Sequence, residues 1–221
     1  MSAPVFLECE ALSALGIEHG FGTLASATAR VAELSLARQV HGTDLVEAPA
    51  PGLGQVDADA LYTAEPGAAV GVQTADCVPL LIADARLRGV AAVHAGWRGS
   101  AARMAERAVS GVCSALRVHP GALVIAVGPH IGPCCYEVDD PVREAVGDDA
   151  VLNPVRPGHY LLDLFELNRR QLIRSGVPGD RIYRVGDCTQ CHPERYASYR
   201  RDGSDRRMLH WIRLPGPRPS V

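Results

Sequence analysis

A pair of apolar runs in the middle of the chain constrains the fold more than any other feature. The first run, CVPLLIA, begins at Cys77, and the second, GVAAVHA, contains His94; only the polar stretch DARLRG separates them. This pattern predicts an antiparallel hairpin of buried strands. A turn at residues 86 and 87 places Cys77 opposite Gly96, and a turn one residue earlier places it opposite His94. In either register the thiol and the imidazole lie within roughly 5 to 8 Å of each other at Cβ.

The segment HAGWRGS, residues 94–100, continues from the second run and combines three chemically versatile side chains with two glycines. Glycine allows the backbone to turn sharply or to approach another group closely. Histidine, tryptophan and arginine bind metals, flat rings and anions. The segment therefore predicts one wall of a binding site.

The thiol of Cys77 and the imidazole of His94 are close enough to share a metal ion. A sulfur and a nitrogen together favour zinc or copper over magnesium or calcium. The third ligand is expected to be His41, which precedes a glycine in the strand-like segment QVHGTDLVEA. Two histidines and one cysteine would leave one tetrahedral position for water or substrate, as in catalytic zinc sites. The alternative is a buried cysteine with two unrelated histidines.

Composition narrows the classes of function. All 22 basic residues are arginine, so lysine Schiff bases, lysine general bases and P-loop lysines are excluded. Any phosphate must be held by arginine, by backbone amides or by a metal. The net charge of −3 gives no reason to expect binding to nucleic acid or to an anionic membrane. With 221 residues, of which 47% are hydrophobic, we expect a single domain over residues 1–221.

Two further expectations concern location and secondary structure. No apolar run is long enough to span a membrane and the first residues do not look like a secretory signal, so we expect the protein in the cytoplasm. Strand-like segments are punctuated by three helices, which begin after Ser100, at the segment DDPVREAV, and at Asp163. The third has a capping pair, Asp163 and Glu166, and ends before Gly176. An α/β or α+β mixture follows. The strand-like segments are QVHGTDLVEA, ADALYTA, AAVGVQTADCVPLLIAD, GVAAVHA, ALVIAVG, RIYRVGD and MLHWIRL.

Two cysteine-containing segments remain. GPHIGPCCYEV is predicted to be a loop at a strand end, with His130 facing the pocket and with Cys134 and Cys135 packed or lining it. CTQCH, residues 188–192, matches the pattern of covalent haem attachment. That chemistry requires export, and the sequence shows no signal for it. The second cysteine of CTQCH is therefore interpreted as incidental, with a second zinc site as a minor alternative.

Seven segments, in order, resemble the successive motifs of the laccase-domain family. They are QVHG, DADALYT, TADCVPLLIAD, VAAVHAGWRG, GPHIGPCCYEV, LDLFELNRRQL and SYRRDG, and the resemblance spans roughly residues 39 to 207. Bacterial members have been called polyphenol oxidases, peptidoglycan editing factors and purine nucleoside phosphorylases. The resemblance implies a layered α/β fold with two mixed sheets and outer helices. It also implies a zinc ion bound by His41, Cys77 and His94, which act as the catalytic centre.

The resemblance further implies phosphorolysis of adenosine, inosine, guanosine or methylthioadenosine, together with adenosine deamination. The partners would then be purine nucleosides and phosphate. For this chemistry we expect Arg98 to bind the anion, Trp97 to stack on the purine and His130 to contact the substrate. Asp76 would lie on the opposite strand face from Cys77, which makes it a weak candidate for acid or base. Arg200 and Arg201 are expected to support the pocket or to contact an acidic partner.

Two other functions compete with this one. Copper-dependent phenol oxidation needs a metal cluster with many more histidines, and the eight in this chain are scattered, so copper is less favoured than zinc. A non-catalytic protein of peptidoglycan editing or cell division would use the zinc structurally. The segment before QVH also departs from the family pattern: it is shortened, and it lacks the arginine and asparagine of the usual TRxGGVSxGxYxSLN motif.

Overall fold

The computed structural model describes residues 4–216, which contain fifteen strands and six α-helices. The strands are β1 (Phe6–Leu7), β2 (Glu18–Gly22), β3 (Leu34–Arg38), β4 (Leu45–Glu47), β5 (Gly52–Asp57), β6 (Ala60–Thr63), β7 (Ala69–Thr74), β8 (Val78–Asp84), β9 (Val90–Ala95), β10 (Leu123–Val127), β11 (Glu137–Asp139), β12 (Leu152–Arg156), β13 (His159–Leu162), β14 (Ile182–Arg184) and β15 (Met208–Arg213). The helices are α1 (Glu10–Ser13), α2 (Trp97–Ala101), α3 (Met104–Leu116), α4 (Asp140–Val146), α5 (Leu164–Arg174) and α6 (Tyr199–Asp202).

Two mixed six-stranded sheets make up most of the structure. The first has the order β1-β2-β15-β7-β3-β5, and the second has the order β14-β10-β8-β9-β6-β4. The expected mixed α/β fold with two mixed sheets is therefore confirmed. A third sheet, β11-β13-β12, was not expected, because its strands are only three to five residues long.

The second sheet is buried on both faces, which explains why β8 is apolar at nearly every position. Successive side chains of a strand point to opposite faces. Leu80 and Ile82 pack in the cluster that includes α3 and α5, whereas Leu81 and Ala83 pack against residues of the first sheet. A sheet covered on both faces requires continuous apolar strands rather than alternating ones.

The predicted hairpin is present as β8 and β9, and its register is the first of the two alternatives. Val78 pairs with Ala95, and Pro79 pairs with His94. One step further, Cys77 comes opposite Gly96. The turn therefore falls at residues 86 and 87.

Two predicted strands were wrong in their extent. The run AAVGVQTADCVPLLIAD forms two strands, β7 in the first sheet and β8 in the second. The chain changes sheet at residues 75–77, where Asp76 has a φ of +86°. Of QVHGTDLVEA only β4 is a strand, and His41 lies in the preceding loop with a φ of +59°.

The three predicted helices are present. The first begins earlier than expected as the short α2, and α3 follows after Arg103, which has a φ of +63°. In α5 the side chain of Asp163 accepts a hydrogen bond from the amide of Glu166, and Gly176 follows the helix with a φ of +91°, a left-handed conformation that glycine adopts without strain. No helix in residues 4–216 is long and apolar enough to cross a membrane.

Candidate active site

The structure brings together the three residues predicted as metal ligands. One ligand atom from each of His41, Cys77 and His94 lies within 4.8 Å of the others. Cys77 comes directly before β8, His94 lies near the end of β9, and His41 reaches them from the loop between β3 and β4. The rings of His41 and His94 are 4.9 Å apart at their centroids, in an edge-to-face arrangement.

These residues fit a zinc ion on two counts. Two imidazoles and a thiolate are the donors that zinc prefers, and a tetrahedral ion would separate them by about 3.3 to 3.8 Å. Gly96 also leaves the space between them open: a Cβ there would lie 3.0 Å from Cys77 Sγ and 3.1 Å from His41 Nδ1. Any other residue at position 96 would crowd both of these atoms.

Asp59, at the start of DALYT, is a buried carboxylate behind this group of residues. Its Oδ1 lies 2.7 Å from Nδ1 of His94, and an ionised carboxylate can only accept, so Nδ1 carries the proton. That leaves Nε2 of His94 for a metal, as in carboxylate–histidine–zinc arrangements. Burial by itself lowers the pKa of His94, but hydrogen bonds to Asp59 and Cys77 outweigh it and raise the pKa to about 9.

The same carboxylate holds the loop that carries His41. The amides of Val40, His41 and Gly42 donate to Asp59 at 3.3, 3.0 and 2.6 Å. A left-handed φ costs a non-glycine residue of order 1–3 kcal/mol, and these three hydrogen bonds offset that cost at His41. Burial raises the pKa of Asp59, but the hydrogen bonds from His94 and the Gly42 amide bring that pKa below its ordinary value. One anion thus orients two candidate ligands.

His41 is held mainly in its neutral form. Burial lowers its pKa, and the positive charges of His94, Arg98 and Arg207 lower it further, although Asp59 opposes them. A neutral imidazole is the form that binds a metal.

The three residues line one wall of a cavity of about 810 Å³. Arginine dominates its charge, and the four arginines on its wall are Arg38, Arg98, Arg200 and Arg207. Arg38 forms an exposed ion pair with Asp57. Arg98 has no carboxylate partner within residues 4–216. The cavity is therefore suited to an anionic ligand near the candidate metal centre.

Trp97 lines the cavity as predicted, but one face of its ring is already covered. The guanidinium of Arg98 lies 4.4 Å from the ring centroid, and the ring also packs against the core cluster. A purine could stack on Trp97 only where Arg98 and the core cluster leave the ring surface uncovered.

His130 is not among the described residues that line the cavity. It is 1% exposed, it stacks on Phe165, and Nδ1 lies 2.7 Å from the carbonyl of Gly128. Burial lowers its pKa to about 4. The expectation that His130 faces the pocket is corrected, because its side chain is buried and its ring packs against Phe165 of α5.

Asp76 has a structural role next to Cys77. Its carboxylate accepts hydrogen bonds from Thr189 Oγ1 at 2.5 Å, Ser198 Oγ at 3.0 Å and the Arg200 amide at 2.7 Å. The carboxylate is thus already used to hold the distant segment 189–200 against the start of β8. This agrees with its low ranking as an acid or base.

Sequence reasoning missed two contributors to the candidate active site. Tyr136 lines it, and burial raises the pKa of its hydroxyl, so the phenol keeps its proton at neutral pH. Asp59 was present in the quoted motif DADALYT but had no role assigned to it. A metal-binding histidine usually donates its second ring N–H to a carboxylate. An acidic residue at the start of an apolar strand, such as Asp59, could therefore have been predicted as the partner of His94.

The fold and this site together define a layered α/β protein with a His-Cys-His candidate metal centre in an arginine-lined cavity. The family model described as multi-copper polyphenol oxidoreductase laccase matches residues 17–215. The chain belongs to this family.

Relatives and solved structures agree with that assignment. The chain is 39% identical over 190 residues to purine nucleoside phosphorylase YlmD of Geobacillus stearothermophilus, covering 79% of this chain and 69% of that protein. It is 38% identical over 180 residues to purine nucleoside phosphorylase YfiH of Escherichia coli, covering 80% and 72%. The crystal structure of YlmD from Geobacillus stearothermophilus superposes with a TM-score of 0.89 at 30% identity, covering 97% of this chain and 98% of that one.

Proposed function

We propose that this protein is a zinc-dependent purine nucleoside phosphorylase that also deaminates adenosine. The observation on which the proposal rests is the convergence of His41, Cys77 and His94 on one point at the wall of an arginine-lined cavity. Relatives that are 38–39% identical bear the name purine nucleoside phosphorylase. His41, Cys77 and His94 would hold the zinc.

Zinc bound by these residues would supply a Lewis acid and a water that ionises near neutral pH. In phosphorolysis the bond between sugar C1′ and the purine nitrogen breaks, a phosphate oxygen bonds to C1′, and the purine leaves with a proton. Arg98 is the proposed phosphate ligand, because its charge has no carboxylate partner in the described part of the chain. The protonated hydroxyl of Tyr136 is available as a hydrogen-bond donor to the substrate.

Assays with the pure protein test this proposal. We expect inosine to yield hypoxanthine and ribose 1-phosphate only when phosphate is present, and adenosine to yield inosine without phosphate. Cys77→Ala should lose the zinc of the candidate active site and both activities together, whereas Cys113→Ala, which replaces a partly buried cysteine outside the cavity, should keep them. Full zinc content and activity in Cys77→Ala would refute the ligand assignment. An inactive wild-type protein that still binds zinc would favour the non-catalytic alternative, and copper in place of zinc would favour oxidation.

A further inference from the structure

Four cysteines from two distant loops form a second cluster, which shares no residue with the three candidate zinc ligands. One ligand atom from each lies within 4.8 Å of all the others. The structure has all of them as free thiols. The members of this four-cysteine cluster are Cys134, Cys135, Cys188 and Cys191.

The spacing of the sulfurs suits one tetrahedral metal ion. Sγ of Cys191 lies 3.6 Å from Sγ of Cys134 and 3.3 Å from Sγ of Cys135. A zinc–sulfur distance of about 2.3 Å gives tetrahedral S···S edges of about 3.8 Å, whereas a disulfide needs about 2.05 Å. Four sulfurs this close together leave room for a single ion rather than a multi-iron cluster.

The two loops are shaped as metal-binding turns. Cys188 and Cys191 have the C-x-x-C spacing found in structural zinc sites. The amide of Gly132 donates to Cys188 Sγ at 3.2 Å. Amide donors stabilise sulfur in its charged, metal-binding form. On the other loop, the amides of Cys135 and Tyr136 both donate to the carbonyl of Gly132, which forms a tight turn.

A positively charged side chain, Arg201, contacts the loop that carries Cys188 and Cys191. The guanidinium of Arg201 donates to the carbonyls of Thr189 and Gln190 at 2.9 and 3.3 Å, and to that of Tyr196 at 3.0 Å. The same guanidinium is paired with Asp202, so its contribution to this site is to fix the loop through these carbonyl contacts. Cys188 and Cys135 pack in or against the hydrophobic core. Cys134 and Cys191 are exposed, so the core does not need their side chains.

We propose that the four-cysteine cluster binds one zinc ion as a closed structural site. This site is separate from the candidate active site, and it joins the loop after β10 to the loop after β14. The joined loops shape the wall of the cavity: Tyr136 follows Cys135 and lines the cavity, and Thr189 follows Cys188 and donates to Asp76. The interpretation of Cys134 and Cys135 as packing residues, and of Cys191 as incidental, is thereby revised.

Metal content of the full-length protein tests the proposal. Protein purified under reducing conditions and dialysed with zinc should hold two zinc ions per chain. Cys77→Ala should hold one, the double variant Cys134→Ser/Cys191→Ser should hold one, and their combination should hold none. Both serine substitutions are at exposed positions, so the fold should survive them. Cys113→Ser is the matched control and should hold two.

Cobalt(II) identifies which ligands bind the second ion. The absorption from sulfur-to-cobalt charge transfer should be strong in Cys77→Ala, which retains the four-thiolate site. It should be weak in Cys134→Ser/Cys191→Ser, which retains only the candidate active site with its single thiolate, Cys77. The proposal is overturned if reduced wild-type protein holds only the ion that Cys77→Ala removes, if the second metal is iron, or if the four sulfurs are recovered as disulfides. None of these results bears on phosphorolysis, which the assays above test separately.

Discussion

Replacing Asp59 by asparagine tests how the candidate active site is held together. The carboxylate accepts at Oδ1 from the His41 amide and from His94 Nδ1, and at Oδ2 from the amides of Val40 and Gly42. An asparagine has only one oxygen, so its NH₂ group must face one of these pairs of donors. If it faces the two amides, both lose their acceptor. If it faces His94, the imidazole must move its proton to Nε2, the nitrogen expected to bind zinc.

The magnitude follows from the number of hydrogen bonds lost. Leaving two partly buried donors without an acceptor costs about 1 kcal/mol each, at the low end of the range for unsatisfied donors, so the free energy of unfolding should fall by about 2 kcal/mol. Loss of the carboxylate behind a metal-binding histidine typically weakens metal binding or activity by about 10- to 100-fold. We therefore expect zinc affinity and kcat/KM to fall within that range.

Competition against a chromogenic chelator measures the zinc affinity, and urea unfolding of the metal-free protein measures the stability. Asp149→Asn is the matched control, since it makes the same change at an exposed carboxylate that is paired with Arg143. It should leave zinc affinity and activity unchanged. If Asp59→Asn behaves like this control, then Asp59 does not orient the site.

Three more outcomes are expected. Gly96→Ala places a Cβ 3.0 Å from Cys77 Sγ and 3.1 Å from His41 Nδ1, so chelator competition should show weaker zinc binding. The control is Gly121→Ala, whose Cβ meets nothing within 4 Å and which should leave zinc binding unchanged. Equal zinc affinity in the two variants would contradict the crowding. Arg98→Ala should raise the KM for phosphate about tenfold, by loss of a charge-assisted hydrogen bond, with zinc content unchanged; an unchanged KM would remove Arg98 as the phosphate ligand. Burial lowers the pKa of His130 to about 4 and that of His210 to about 3, so below about pH 6.5 the unfolded chain binds protons that the folded chain does not. For each pH unit by which the pH falls below about 6.5, each histidine should then reduce the free energy of unfolding by about 1.4 kcal/mol. Urea midpoints that stay constant from pH 7 to pH 5 would refute this.

The hairpin shows how far local sequence patterns reach. Apolar runs of suitable length predict β8 and β9, and the geometry of a hairpin brings Cys77 close to His94 in either register. The two registers differ by two residues on the partner strand and keep the same side chains on each face, so strand alternation could not distinguish them. The structure selects the register in which Val78 pairs with Ala95.

Other elements could not be predicted from local patterns. The run that became β7 and β8 has only the polar residues Gln73, Thr74 and Asp76 between its apolar halves, and so short an interruption is also compatible with one continuous strand. The change of sheet at Asp76 is stabilised by Thr189, Ser198 and the Arg200 amide, all more than 110 residues further along the chain. Likewise, His130 follows an apolar strand in a glycine-rich loop, and only the packing of that loop shows that it points into the core.

The sequence by itself determined which segments are strands and helices in the central part of the chain, and it identified the residue types that could bind a metal. These properties depend on side chains within a few positions of one another, through strand alternation, helix periodicity and turn chemistry. The tertiary structure alone decided that Asp59 supports His94, that His130 is buried, and that the cysteines of two loops meet. The contacts of Asp59 with His94 and of Cys134 with Cys191 join residues 35 and 57 positions apart in the chain, and they arise only when the two sheets and their loops pack together.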